Sequence, residues 1–217
     1  MSDFAAARTH MIDGQLRPNE VNDERIIAAI AAVPREQFVP KAKRSIAYVD
    51  EDIAVTDTRY LMEPVVFARL LVAANIKSSD LVLDIGCATG YSSAVIAGLA
   101  DAVVALEEDE ALADAAESKL SEQDIMNVAV VKGSLQDGVA KQGPFDVIYL
   151  QGAVDDIPSK LVKQLKEGGR LVCVKLEGGV GRAHIVENNE GEVTGRNIFD
   201  ANVQQLPGFE KESSFVF

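Results

Sequence analysis

The sequence predicts an α/β fold: a parallel sheet with helices on both faces, closed by a C-terminal antiparallel hairpin and preceded by a helical segment. Two observations carry this. From Leu81 onward, short apolar runs (LVLDI, AVVALE, NVAVV, FDVIYL, RLVCVK) alternate with helical stretches such as YSSAVIAGLA and EDEALADAAESKL. Strands that are apolar throughout and separated by helices belong to a parallel sheet covered on both sides. The alternation then stops, and RAHIVENNEGEVTGRNIF reads as two extended segments around a turn at Asn188-Asn189-Glu190-Gly191.

The N-terminal third is helical by pattern. Ile26, Ile27, Ile30 and Val33 recur at helical spacing; Asn22 can cap the helix and Pro34 stops it. Asp23 and Glu24 complement the positive end of its dipole. A second apolar helix starts at Pro64, a suitable first-turn residue, and runs through PVVFARLLVAA. The stretch between, Tyr48 to Met62, has no clear period and reads as an ordered loop with short extended pieces. The expected division is a helical segment over 1–75, packing on a core over 76–217, the two forming one folding unit.

With 217 residues, 47% of them hydrophobic, the chain can bury a sizeable core. Its formal charge of −13 argues against nucleic acid, which needs clustered Lys and Arg, and against an anionic membrane surface. An acidic field suits neutral or cationic ligands. Cys87 and Cys173 lie far apart, which predicts neither a disulfide framework nor a zinc site. The opening residues are too polar for a signal peptide, so the expected compartment is the cytoplasm. Oligomeric state is left open.

The strand LVLDI runs into Gly86-Cys87-Ala88-Thr89-Gly90-Tyr91, where a helix begins. A strand, a glycine-bearing turn and a helix N-terminus place a ligand at the carboxyl edge of a parallel sheet. Glycines at 86 and 90 permit a tight turn and a close ligand approach, or serve the turn geometry alone. Three details favour a ligand. Asp84 ends the strand, where an acid needs a partner such as a methionine amino group. The next strand ends in Glu107, placed to accept from both hydroxyls of a ribose. A dinucleotide fingerprint would want glycines at 86, 88 and 91, and the chain has Ala88 and Tyr91 at the last two. S-adenosyl-L-methionine, a sulfonium without phosphates, fits these residues, and a parallel core closed by a hairpin is the architecture of Rossmann-like methyltransferases.

Longer motifs carry a resemblance. MIDGQLRPNEVNDERIIAAIAAVPREQFVP ends in V-P-R-E-x-F-V-P, Ala47-Tyr48-Val49-Asp50 matches A-Y-x-D, and LDIGCATGYSSAVIA and GPFDVIYLQGAVDDIPSKLVKQLKEGGRLV supply two further blocks. Over most of its length the chain resembles the protein-L-isoaspartate O-methyltransferase family. The resemblance implies repair of isomerised aspartate: methyl transfer from S-adenosyl-L-methionine to a misplaced carboxylate of a protein or peptide. It also implies donor contacts at Asp84, Gly86, Cys87, Ala88, Gly90, Tyr91 and Glu107, with Ser134 beside the adenine. Cys87 and Tyr91 read equally well as packing residues.

The sequence departs from that family at three places. The family's G-Q-T-I-S-x-P segment is here Thr58-Arg59-Tyr60-Leu61-Met62-Glu63-Pro64, which puts Met62 where a serine would stand. A thioether cannot donate to a carboxylate. Arg59 and Tyr60 can, and with Met62 they are expected to border the acceptor; a solvated Arg59 and a packed Tyr60 are the other reading. Gly133-Ser134-Leu135 replaces G-D-G, and Gln151-Gly152-Ala153 replaces a Thr-Ala-Ala type segment. These departures leave two alternatives: the same donor with a different acceptor, and a donor-binding regulatory protein without catalysis. His10 and His184 have no ligand spacing around them.

Overall fold

The computed structural model describes residues 3–211. Helix α1 (Phe4–Met11) leads through tight turns to α2 (Glu24–Ala32). The N-cap of α2 is Asp23, whose Oδ1 accepts from the Arg25 amide at 2.9 Å, one residue later than the expected Asn22. Val33, before Pro34, is extended and ends the helix. The loop that follows carries two short strands, β1 (Ile53–Ala54) and β2 (Tyr60–Leu61), paired antiparallel. Helix α3 (Pro64–Ala74) has Pro64 in its first turn and ends at Asn75 in the left-handed region.

The sheet then builds as β3 (Leu81–Ile85), α4 (Tyr91–Ala97), β4 (Ala102–Glu107), α5 (Glu110–Glu122), β5 (Val128–Lys132) and β6 (Phe145–Val154). Helix α6 (Ser159–Val162), β7 (Leu165–Glu177), β8 (Val180–Asn189) and β9 (Glu192–Asp200) complete it. Strand order is β5-β4-β3-β6-β7-β8-β9; the first five are parallel and the last two antiparallel. The predicted hairpin turns at Glu190 and Gly191, both with positive φ, which suits a two-residue turn. The chain winds outward through β4 and β5, then returns to place β6 beside β3. That reversal opens a crevice at the carboxyl ends of β3 and β6, where open α/β sheets bind ligands.

Strand residues alternate between two cores. Val82, Val103, Val147 and Val172 face α2, α3 and α4, so the helical N-terminal segment and the sheet share one apolar core. Leu83, Val104, Ile148 and Leu171 face the opposite side, covered by Leu161 of α6 and by Leu206 and Phe209 near the C-terminal end. Among the described residues no helix is long and apolar enough to cross a membrane.

Candidate active site

The loop after β3 turns at Gly86, Ala88 and Gly90, with φ of +78°, +49° and +91°. A Cβ at Gly86 would stand 2.8 Å from Leu206 Cδ1, and one at Gly90 would stand 3.2 Å from Ala116 Cβ. At Gly86 the neighbour is the segment through Leu206, and at Gly90 it is α5. Gly86 also lines the cleft, so its lack of a side chain serves the packing of the chain and leaves a ligand approach open. The Leu206 segment is anchored by pairing: the Ala153 amide donates to Gln204 O at 2.9 Å and the Leu206 amide to Ala153 O at 2.8 Å.

Asp84 is fully buried at the end of β3. Its carboxylate accepts from Ser92 Oγ at 2.6 Å, Ser93 Oγ at 2.5 Å and Gln151 Nε2 at 2.7 Å. The partner that burial demands is thus supplied by the protein, and no ligand amine is needed to explain the acid. Burial raises the Asp84 pKa; the three donors oppose the rise and the Glu107 charge adds to it. Gln151 follows directly on the stretch of β6 that pairs with β3, two residues beyond Tyr149, the partner of Asp84.

Glu107 ends β4, fully buried. Its Oε2 accepts from the Ala88 amide at 2.9 Å, and Oε1 from the Glu108 and Asp109 amides at 2.9 and 3.1 Å. Oε1 also accepts from Arg59 Nε at 3.0 Å. This corrects the solvated reading of Arg59. The side chain is 5% exposed, so it is not solvated, and its guanidinium lies on the expected ribose acid rather than toward an acceptor. A buried guanidinium seeks a carboxylate, and the nearest one across the cleft is Glu107.

Tyr60 and Met62 do border the cleft, together with Gly86, Ala88, Tyr91 and Gln151. Tyr91 is buried, with Phe38 and Phe67 at ring-centroid distances of 5.8 and 5.7 Å. Cys87 lines the same cleft. Burial first, then the charges of Asp84 and Glu107, push its thiol well above the usual range, which leaves it unreactive. Ser134 is exposed just beyond β5; the preceding Gly133 amide donates to Glu107 O at 3.1 Å, which sets Ser134 on the same sheet edge.

One site residue escaped the sequence reading. Arg35, of the V-P-R-E run, is 1% exposed and lines the cleft. Its Nε donates to Ala47 O and its Nη2 to Met62 O, each at 2.8 Å, and its guanidinium lies 4.7 Å from the centre of the Tyr91 ring. Burial lowers its pKa, and Tyr91 opposes that shift. Among the described residues no carboxylate lies within 4 Å of it. The arginine of V-P-R-E was the available signal, but the motif alone does not say where its side chain goes.

A match to the family model for protein-L-isoaspartate(D-aspartate) O-methyltransferase spans residues 6–203. The chain belongs to this family. A protein-L-isoaspartate O-methyltransferase of Koribacter versatilis is 35% identical over 96% of this chain and 94% of its own length. One of Opitutus terrae is 38% identical over 82% of this chain and 74% of its own. A solved protein-L-isoaspartate O-methyltransferase superposes with a TM-score of 0.80 at 26% identity, covering 93% of this chain and 66% of that one. A Plasmodium falciparum structure, solved with S-adenosyl-L-homocysteine, shares the fold with a TM-score of 0.79 at 18% identity. The chain is an S-adenosylmethionine-dependent methyltransferase of Rossmann-like fold, as its motifs implied.

The donor set fits that cofactor in chemistry: a buried acid at the end of β4, a left-handed turn before α4, and aromatic and small residues around the cleft. Space is the tight quantity. The cleft holds about 10 Å³, room for roughly one water.

Proposed function

We propose that this chain methylates the misplaced carboxylate of isomerised aspartyl residues in proteins, at the cleft between β2 and the loop after β3. The observation that carries the acceptor reading is Arg35. A protein of charge −13 keeps one guanidinium buried at this cleft with no carboxylate of the described residues within 4 Å, and an anionic acceptor would supply a charged partner.

S-adenosyl-L-methionine supplies an activated methyl on a sulfonium. An ionised carboxylate is already a nucleophile, so the protein needs no general base and its task is to position and desolvate. Glu107 and the turn at Ala88 would hold the nucleoside end, with Ser134 at its outer edge. Asp84, fixed by Ser92, Ser93 and Gln151, ties the end of β3 to α4 and β6, next to the cleft that would hold the methionine end. Arg35 would draw the acceptor carboxylate toward Met62 and Tyr60, which shield it from water. Arg35 thereby takes over what the hydroxyl missing at position 62 would have done. We place the protein in the cytoplasm without nucleic-acid partners, a reading supported by two buried free thiols and the acidic charge.

A different acceptor is the second reading, favoured by the acids Asp50, Glu51 and Glu63 around the acceptor segment, which disfavour anions. One assay separates the two. Methyl-labelled donor is incubated with paired peptides that contain isoaspartate or aspartate. Base-labile label on the isoaspartyl peptide alone is expected. Donor binding without transfer to that peptide would sink the proposal and leave the second reading.

A further inference from the structure

Resting on the donor reading above, we propose that Arg59 is an internal competitor for the ribose. It holds Glu107 until a nucleoside diol displaces it, and so it determines how readily the donor enters.

The argument is a count of lone pairs. A carboxylate offers about four acceptor sites. Glu107 already receives four donors: the Ala88, Glu108 and Asp109 amides and Arg59 Nε. Three of these, including Arg59, converge on Oε1 and only the Ala88 amide on Oε2, so one ribose hydroxyl can reach Oε2 but the second cannot donate to Oε1 unless a present donor leaves. The three amides are fixed in the turns that follow β3 and β4, and only Arg59 approaches on a rotatable side chain. Arg59 is therefore the donor that yields.

Its destination is also at hand. Arg59 Nη2 lies 3.9 Å from Glu108 Oε2, on a side chain that is 54% exposed. A turn of the guanidinium from Glu107 to Glu108 keeps it paired with a carboxylate, while the hydroxyls take its place on Glu107. Neither buried charge is left without a partner, which is what makes the exchange affordable in a desolvated site. Arg59 also donates through Nη1 to Thr58 O at 3.2 Å and directly precedes β2, so its release acts on the strand that borders the acceptor.

The test is calorimetric titration of wild type, Arg59→Gln and Arg59→Lys with S-adenosyl-L-homocysteine, in the absence of any acceptor. Removing an internal competitor removes the penalty on the binding-competent state. Arg59→Gln is expected to bind about tenfold tighter than wild type, within the usual range of such couplings. It is also expected to melt lower without ligand and to gain more on ligand addition. In wild type, an arginine-selective nitrogen spectrum is expected to show the Arg59 Nε–H protected from exchange, and to lose that protection on titration. This measurement stands even if Arg59→Gln folds poorly. Weaker or unchanged binding by both variants, or an Nε–H that stays protected in the complex, would overturn the proposal alone. No binding by wild type or variants would overturn the donor reading, and the competitor with it.

Discussion

The two walls of the cleft are held in different ways. On the donor side, Asp84 and Glu107 stand at the ends of adjacent strands, and backbone amides of the following turns converge on Glu107. On the acceptor side, the short strand β2 and the residues after it hang on side chains from elsewhere. Arg35 holds Met62 O, Asp52 accepts from the Glu63 and Gln204 amides at 2.8 and 2.6 Å, and Asp50 accepts from the Val65 amide at 3.2 Å. Backbone-built geometry depends on the fold and tolerates little change at its anchoring acids. A segment clipped in place through its own carbonyls and amides can change its side chains freely. That difference explains how a chain can keep its family's donor edge and rewrite the residues at 58–63.

The largest expected effect breaks the donor wall. Glu107→Gln keeps the shape but replaces one oxygen with an NH₂, which cannot accept from the amides and hydroxyls that converge there. It also leaves Arg59 buried without its charge partner, a change that typically costs about 3–5 kcal/mol. Binding of S-adenosyl-L-homocysteine should fall at least about 100-fold, since each lost charge-assisted bond is worth roughly 1.5–3 kcal/mol. The unliganded melting temperature should drop as well. Retained affinity would mean that the nucleoside does not rest on β4, and the contrast between the walls would lose its basis.

Much of the donor wall was legible in the sequence because its logic is local. The strand LVLDI, the glycine-bearing turn and the acid at the end of AVVALE follow from period and spacing, and they fall where the pattern puts them. The partners were not legible, because each comes from far along the chain. Arg59 meets Glu107 across 48 residues and Gln151 meets Asp84 across 67. The N-cap of α2 slipped by one residue because Asn22 and Asp23 are both good caps, and it is Asp23, in an extended conformation, whose side chain accepts from the Arg25 amide. Leu206 was invisible for the same reason as Arg59: nothing in a glycine says what will occupy the space it leaves.

A middle-sized effect sharpens this last point. Gly86→Ala meets both a positive φ, costing about 1–2 kcal/mol for a side-chain-bearing residue, and a contact of 2.8 Å with Leu206 Cδ1. A total loss of roughly 2–3 kcal/mol is expected in chemical denaturation. Leu206→Ala alone removes a buried side chain and costs about 2–5 kcal/mol. If the glycine exists to admit Leu206, the double variant should be about 1 kcal/mol more stable than the two losses added together. Strict additivity would return Gly86 to the role of ligand cradle.

The smallest effect tests the acceptor wall through its charge. Burial, and then Asp50, Asp52 and Glu51, raise the Glu63 pKa from 4.5 to about 7. The native state therefore holds this proton over a range in which the unfolded chain has lost it. The contribution is fully present below about pH 4.5 and is lost as pH rises through about 7. Glu63 is partly exposed, and solvent screening reduces the effect to about 1 kcal/mol. Glu63→Gln should accordingly match wild type near pH 4 and exceed it by about that amount at pH 8, read from denaturation midpoints at each pH. A pH-independent difference at Glu63 would place its carboxylate in free solvent. The acceptor segment would then be fixed by Arg35 and Asp52 alone, with no electrostatic cost stored in its own acids.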